Sequence, residues 1–123
     1  MNQTLYEQLG GKKTVEKAAA ILYVNILRDK RINYFFDGVD MEKQKRKMSV
    51  FLTNIFGGPS LYIGKTMRKV HKNAVENGLK DEHVDAMMEN VAATLKELEI
   101  ENDLIKKVIS TIEEHRDDVL GRS

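Results

Sequence analysis

The sequence predicts an all-α fold. Three observations carry the prediction. Apolar residues recur in blocks at i, i+3, i+4 and i+7, the spacing of one helical face. The strong breakers are few: one proline, Pro59, and glycines at Gly10-Gly11, Gly38, Gly57-Gly58, Gly64 and Gly78 that fall between those blocks. No stretch of useful length alternates apolar with polar residues as a half-buried strand would. With 123 residues the chain is long enough for one domain with one core, read here as residues 1–123.

The elements follow in order. Thr4-Leu5-Tyr6-Glu7 has the capping-box spacing of a short first helix, which Gly10-Gly11 stops. Thr14 can cap a second helix whose buried face is Val15, Ala18, Ala19, Leu22, Tyr23, Ile26 and Leu27. Asn33-Tyr34-Phe35-Phe36 reads as one tight helical turn holding aromatic side chains. Asp40 caps a third helix running to about Phe56, with Met41, Gln44, Met48, Phe51 and Ile55 as its stripe. Thr66 and Gly78 can open and close a segment carrying Met67, Val70, Ala74 and Val75. Asp81 caps the next helix, with Val84, Met87, Met88, Val91, Leu95 and Leu98 inward. The last long helix begins near Asn102 or Asp103 and keeps Leu104, Ile105, Val108, Ile109, Ile112 and Val119 on one face.

Bulk composition excludes several functions. Twenty basic against nineteen acidic residues give a net charge of +1, which makes no case for nucleic acid or an acidic membrane surface. No apolar run approaches the ~18 residues of a membrane span. The N-terminus lacks the basic-then-apolar pattern of a secretory signal, so a cytoplasmic protein is expected. Without cysteine there is no disulfide, thiol nucleophile, thiolate-bound zinc, iron–sulfur cluster or C-x-x-C-H haem attachment. Metal chemistry would rest on three histidines, the carboxylates or an unusual donor.

Polar residues interrupt the apolar faces. His71 falls in the middle of the Met67–Val75 stripe, where an imidazole is either a hydrogen-bonded core residue, a metal ligand or a catalytic group. Gln44 and Lys47 lie on or at the edge of the third helix's stripe. The basic run from Lys43 to Lys47 also suits a plain solvated face, with lysine stems along apolar surface and heads in water. Tyr23 needs a partner for its phenol if buried. His115, three residues after Ile112 and four before Val119, faces the core stripe, whereas His83, in a first helical turn, reads as a surface residue. A flat apolar cofactor ligated by His71, with polar groups on its other side and Phe35 and Phe36 packed near it, would account for the set. Haem held by a proximal histidine is such a cofactor.

These residues resemble those of a known family. Leu5-Tyr6-Glu7-Gln8-Leu9-Gly10-Gly11, Tyr34-Phe35-Phe36, Asp40-Met41, Gln44, Phe51-Leu52-Thr53, Phe56-Gly57-Gly58-Pro59 and Gly64-Lys65-Thr66-Met67 match it. So do His71, Val75-Glu76-Asn77 and Thr94-Leu95-Lys96-Glu97-Leu98. Each segment is weak alone; their order and spacing from Leu5 to Leu120 resemble a group I truncated haemoglobin. The resemblance implies a two-over-two helical sandwich around haem b, with a proximal segment that is mostly loop.

It further implies His71 as the proximal iron ligand and Tyr23 and Gln44 as the distal groups that stabilise a bound ligand. Phe35 and Phe36 pack on the haem; Lys43, Tyr62 and Met67 lie near its edge or propionates. Met48 and Phe51 complete the pocket. Many relatives carry a second glutamine where this chain has Met48, whose thioether cannot donate a hydrogen bond. Lys47 stands where some relatives bind the iron internally. A lysine must first lose its proton, at a cost of about 4.6 kcal/mol at pH 7, and its alternative is to reach a propionate or solvent. His115 matches a histidine that in cyanobacterial members can bond covalently to a haem vinyl group; its alternative is to touch the haem edge without reacting.

The function so implied is binding of dioxygen, nitric oxide and carbon monoxide. Its use would be nitric oxide detoxification or redox chemistry of the dioxygenase type, with an electron donor the sequence does not name. A dioxygen carrier or a gas sensor without turnover is the alternative within the family; a monomer is expected. Outside it stands a non-haem helical interaction or phosphotransfer module, which would need an exposed histidine.

Overall fold

The computed structural model describes residues 4–38, 40–57 and 63–122. All regular structure among the described residues is helical: α1 (Leu5–Leu9), α2 (Gly11–Leu27), a 3₁₀ turn (Asn33–Phe36), α3 (Met41–Ile55), α4 (Ile63–Glu76), α5 (Asp81–Glu97), α6 (Asn102–Glu114) and α7 (Arg116–Val119). None of these helices is long and apolar enough to cross a membrane.

The local signals explain most boundaries. Thr4 Oγ1 accepts from the Glu7 N–H at 3.1 Å and the Glu7 carboxylate accepts from the Thr4 N–H, closing the capping box of α1. Gly10 then takes φ +113°, a left-handed cap that costs glycine little. α2 starts at once at Gly11, so Thr14 lies inside the helix rather than capping it. Its hydroxyl occupies the space beside Gly10, where a Cβ would come within 2.2 Å of Oγ1. Asp40 caps α3 as its sequence position predicts, its Oδ1 accepting from the Lys43 N–H at 3.0 Å. Helix α4 is continuous from Ile63, not the mostly-loop segment that the resemblance implies, and Gly78 closes it with left-handed φ +101°. At α5 the cap is Lys80 and Asp81 is the first helical residue, so the helix starts one position earlier than an Asp81 cap implies. The last helix does not run through to Val119; it breaks at His115.

The core sits where α2 meets α3 and α5, the two most extensive packing contacts. Leu22, Ile26, Leu52, Phe56, Leu95 and Val108 are fully enclosed there. Burying a side chain of this size contributes about 1.5–3 kcal/mol. Leu52, absent from the predicted stripe of α3, carries this packing, while Leu27 of the predicted α2 stripe is 40% exposed. α6 lies on α5 and α7 on α4. This leaves a gap framed by α3, α4 and the start of α5.

Candidate functional site

The gap is a cavity of about 780 Å³, within the range of pre-formed small-molecule sites. Its walls come from six elements of the chain. Phe35 and Phe36 enter from the 3₁₀ turn; Gln44, Lys47, Met48 and Phe51 from α3; His71 and Ala74 from α4. Val84 and Met87 of α5 and Ile112 and Val119 at the far end complete it. The lining is mostly apolar, with a few polar groups converging on it.

Gln44 is 9% exposed, and no described residue hydrogen-bonds to its side-chain amide. Since no buried side-chain polar atom among the described residues lacks a partner, this amide keeps its atoms accessible, and it lines the cavity. His71 is half-buried and turned to the same space. Lys47 lines the cavity but is exposed, while Met48 is 5% exposed. An imidazole, a free amide and a stack of aromatic and aliphatic side chains around one slot fit a flat, apolar, metal-bearing macrocycle. Among the described residues no cluster of three or more histidines or carboxylates forms a metal site of its own.

Other candidate residues fall elsewhere. Tyr23 is buried in α2 at 4% exposure, but it is not among the residues that line the cavity; no described residue bonds its hydroxyl. Lys43 is exposed at the start of α3 and also off the wall. His115 stands at the α6–α7 break between two lining residues, Ile112 and Val119, with its Nδ1 3.3 Å from Asp118 Oδ2. Tyr62 lies outside the described residues. Met67 belongs to α4, but its side chain lies outside what is described.

The sequence reading missed His83. It is not on the surface but 8% exposed, and it lines the cavity. Its Nδ1 accepts from the Lys80 N–H at 2.8 Å, and its Nε2 lies 3.0 Å from Tyr34 Oη. The ring meets Phe35 edge-on, with centroids 5.1 Å apart. A signal was available: His83 is the third residue of α5, within reach of the cap N–H, and four residues before Met87 on the buried stripe.

Ion pairs brace the far end of the site. Arg116 bonds Asp81, Asp85 and Glu113, and Arg122 bonds Asp81 and Asp117, so α7 is tied to the start of α5. The guanidinium of Arg122, with that of Arg116, holds the Asp81 carboxyl below its ordinary range; Arg116 does the same to Glu113. Arg68 of α4 pairs with Asp118 at 3.2 Å, linking the helix that carries His71 to the residue that holds His115.

The chain matches the family model described as bacterial-like globin over residues 4–120. It is 46% identical over 122 residues to the group 1 truncated haemoglobin GlbN of Synechocystis sp., covering 97% of this chain and 98% of that one. It is 41% identical over 120 residues to the group 1 truncated haemoglobin of Tetrahymena pyriformis, covering 98% and 97%. Among solved structures it is similar to the 2/2 haemoglobin of Synechococcus sp. PCC 7002, in the cyanomet state with covalently attached haem. That likeness has TM-score 0.88 and 44% identity, and covers 98% of this chain and all of that one.

Proposed function

The chain belongs to the bacterial-like globins, as a group 1 truncated haemoglobin, and from that premise we propose a haem protein that binds dioxygen, nitric oxide and carbon monoxide. The observation that carries the reading is His71 in the wall of an apolar cavity whose other polar lining includes the free amide of Gln44. Haem b held here would supply an iron able to bind a diatomic ligand.

The chain's residues divide the remaining work. His71 supplies the proximal imidazole, and Phe35, Phe36, Met48 and Phe51 exclude water and hold the ring plane. The Gln44 amide donates to a polarised diatomic in the dry pocket, where an oriented donor is stronger than in water. Tyr23, buried on the neighbouring helix, offers the second donor. Lys43, Tyr62 and Met67 belong near the edge of the site. Asp118 engages His115 at Nδ1, which leaves Nε2 as the nitrogen for covalent attachment.

The use we favour is nitric oxide detoxification, in which dioxygen, nitric oxide and one electron from a donor give nitrate. We read the protein as a monomeric, cytoplasmic single domain. The test is reconstitution: haem added to the apoprotein gives a Soret band at one equivalent, and His71→Ala loses it or shifts it to that of free haem. A wild-type protein that takes up no haem overturns the reading.

A further inference from the structure

The near-neutral net charge conceals a strong asymmetry. Residues 43–75 contain eight basic and no acidic residues, so the rest of the chain carries an acidic excess of seven. That segment is also the one that supplies the α3 and α4 walls of the cavity. Within it, Lys43, Arg46, Lys47 and Val50 follow i, i+3, i+4, i+7 spacing and therefore form one continuous stripe on α3. All four are exposed, Val50 to 55%. None of the three cations has an ion-pair partner among the described residues, so their charge is open to a partner.

The C-terminal half of the stripe borders the site. Lys47 and Val50 line the cavity; Arg46 and Val50 line a second, neighbouring hollow of about 410 Å³. An exposed apolar residue at the end of a row of cations, beside a cavity wall, has the anatomy of a small transient interface: an apolar patch and a charged flank that steers the encounter.

We propose that the Lys43–Arg46–Lys47–Val50 stripe docks an acidic one-electron-transfer protein that reduces the haem iron. This rests on the haem reading above. The electron passes from the reduced donor, which is oxidised, to ferric iron, which becomes ferrous; no bond is made and no proton is required. A protein partner is favoured over nucleic acid because the stripe has no aromatic side chain on which bases could stack. It is favoured over a membrane surface because a single valine offers little apolar area to bury.

The test uses ferric holoprotein, scored first for its Soret band; absence of that band overturns the haem reading and not the docking. Reduction by an acidic [2Fe–2S] ferredoxin is followed by stopped flow between about 20 and 200 mM salt, with dithionite as a small-molecule control. The docking surface predicts a rate with ferredoxin that falls ~10-fold or more across that range. It also predicts a several-fold loss at low salt in Arg46→Glu, recovery in Arg46→Lys, and dithionite rates unchanged in both. A salt-independent rate overturns the proposal. So does an equal loss in the control Lys106→Glu, or equally steep, Arg46-dependent binding of a random DNA duplex or of phosphatidylserine vesicles.

Discussion

The Tyr34 phenol and the His83 imidazole meet at 3.0 Å on the cavity wall, joining the aromatic turn to the start of α5. Because Nδ1 already accepts from the Lys80 N–H, the neutral ring carries its proton on Nε2 and donates it to Tyr34 Oη. His83 thus spans a helix cap and the turn that presents Phe35. His83→Ala removes both bonds and a buried ring, and is expected to cost about 2–3 kcal/mol; Tyr34→Phe removes one bond and costs about 0.5–1.5 kcal/mol. Urea unfolding of the two variants checks the order, and equal costs would show that the cap bond contributes nothing.

A second linkage lies at the opposite edge of the turn. Asp29 accepts from Arg31 at 2.7 Å and from Asn90 of α5 at 2.8 Å, and the Arg31 guanidinium, with help from Asn90, holds its carboxyl well below the usual carboxylate range. A depressed folded-state value means stability that is present above the unfolded value of about 3.9 and is lost as pH falls toward the folded one. Asp29→Asn is expected to cost about 1–2 kcal/mol at pH 7, the exposure of Arg31 limiting the gain. The gap between variant and wild type should narrow by about pH 3. Unfolding midpoints at the two pH values decide it; an unchanged gap removes the charge from the account.

The fold was legible because its signals are local. Thr4 and Asp40 cap where their spacing says, and the α2 stripe from Val15 to Ile26 is buried as its period demands. The site was legible only where a polar side chain interrupts an apolar stripe, as Gln44 and His71 do. His83 escaped because its place in a first helical turn argued for the surface and outweighed its register with Met87, while its partner Tyr34 lies 49 residues away, where periodicity does not reach. The break at His115 escaped for a related reason. Arg116 is drawn to Asp81 and Asp85 on α5, a tertiary demand invisible in the continuous stripe from Leu104 to Val119.

The free amide of Gln44 gives a kinetic prediction. A hydrogen bond of about 1.4 kcal/mol to a bound diatomic corresponds to a tenfold change in its release. Gln44→Leu in reconstituted protein is expected to speed dioxygen dissociation by ~10-fold or more, and Tyr23→Phe to speed it as well. Met48→Gln places a new donor in the same wall at similar volume and should slow it several-fold. Laser photolysis or stopped-flow displacement gives each rate; a variant that leaves it unaltered loses its assigned role.

His115 is set by its neighbour as much as by its place. Asp118 bonds Nδ1, and Arg68 fixes Asp118 from the other side. If Nε2 forms a covalent bond to the cofactor, that bond survives acid–acetone extraction. Intact mass of wild type reconstituted and then reduced should therefore retain the mass of haem, and that of His115→Ala should not. Asp118→Asn, which weakens the hold on Nδ1, should retain it more slowly. Complete loss of haem from wild type would reduce His115 to a residue at the cavity rim.

Lys47 decides what the open side of the cavity offers. It lines the cavity yet is exposed, and a lysine binds a metal only after giving up its proton, which costs free energy at neutral pH. Only the bond from amine to iron can offset that cost, and occupancy of the iron by Lys47 must therefore rise with pH. The expected observation is a ferric spectrum that gains low-spin character as pH is raised from about 6 to 10, the range approaching lysine's ordinary titration. Lys47→Ala should stay high-spin until hydroxide binds. Internal occupation would also lower apparent ligand affinity by the fraction of open sites, so the variant should bind cyanide faster at high pH. The same high-spin spectrum in both proteins across the range would exclude ligation and leave Lys47 to the docking stripe with Lys43 and Arg46.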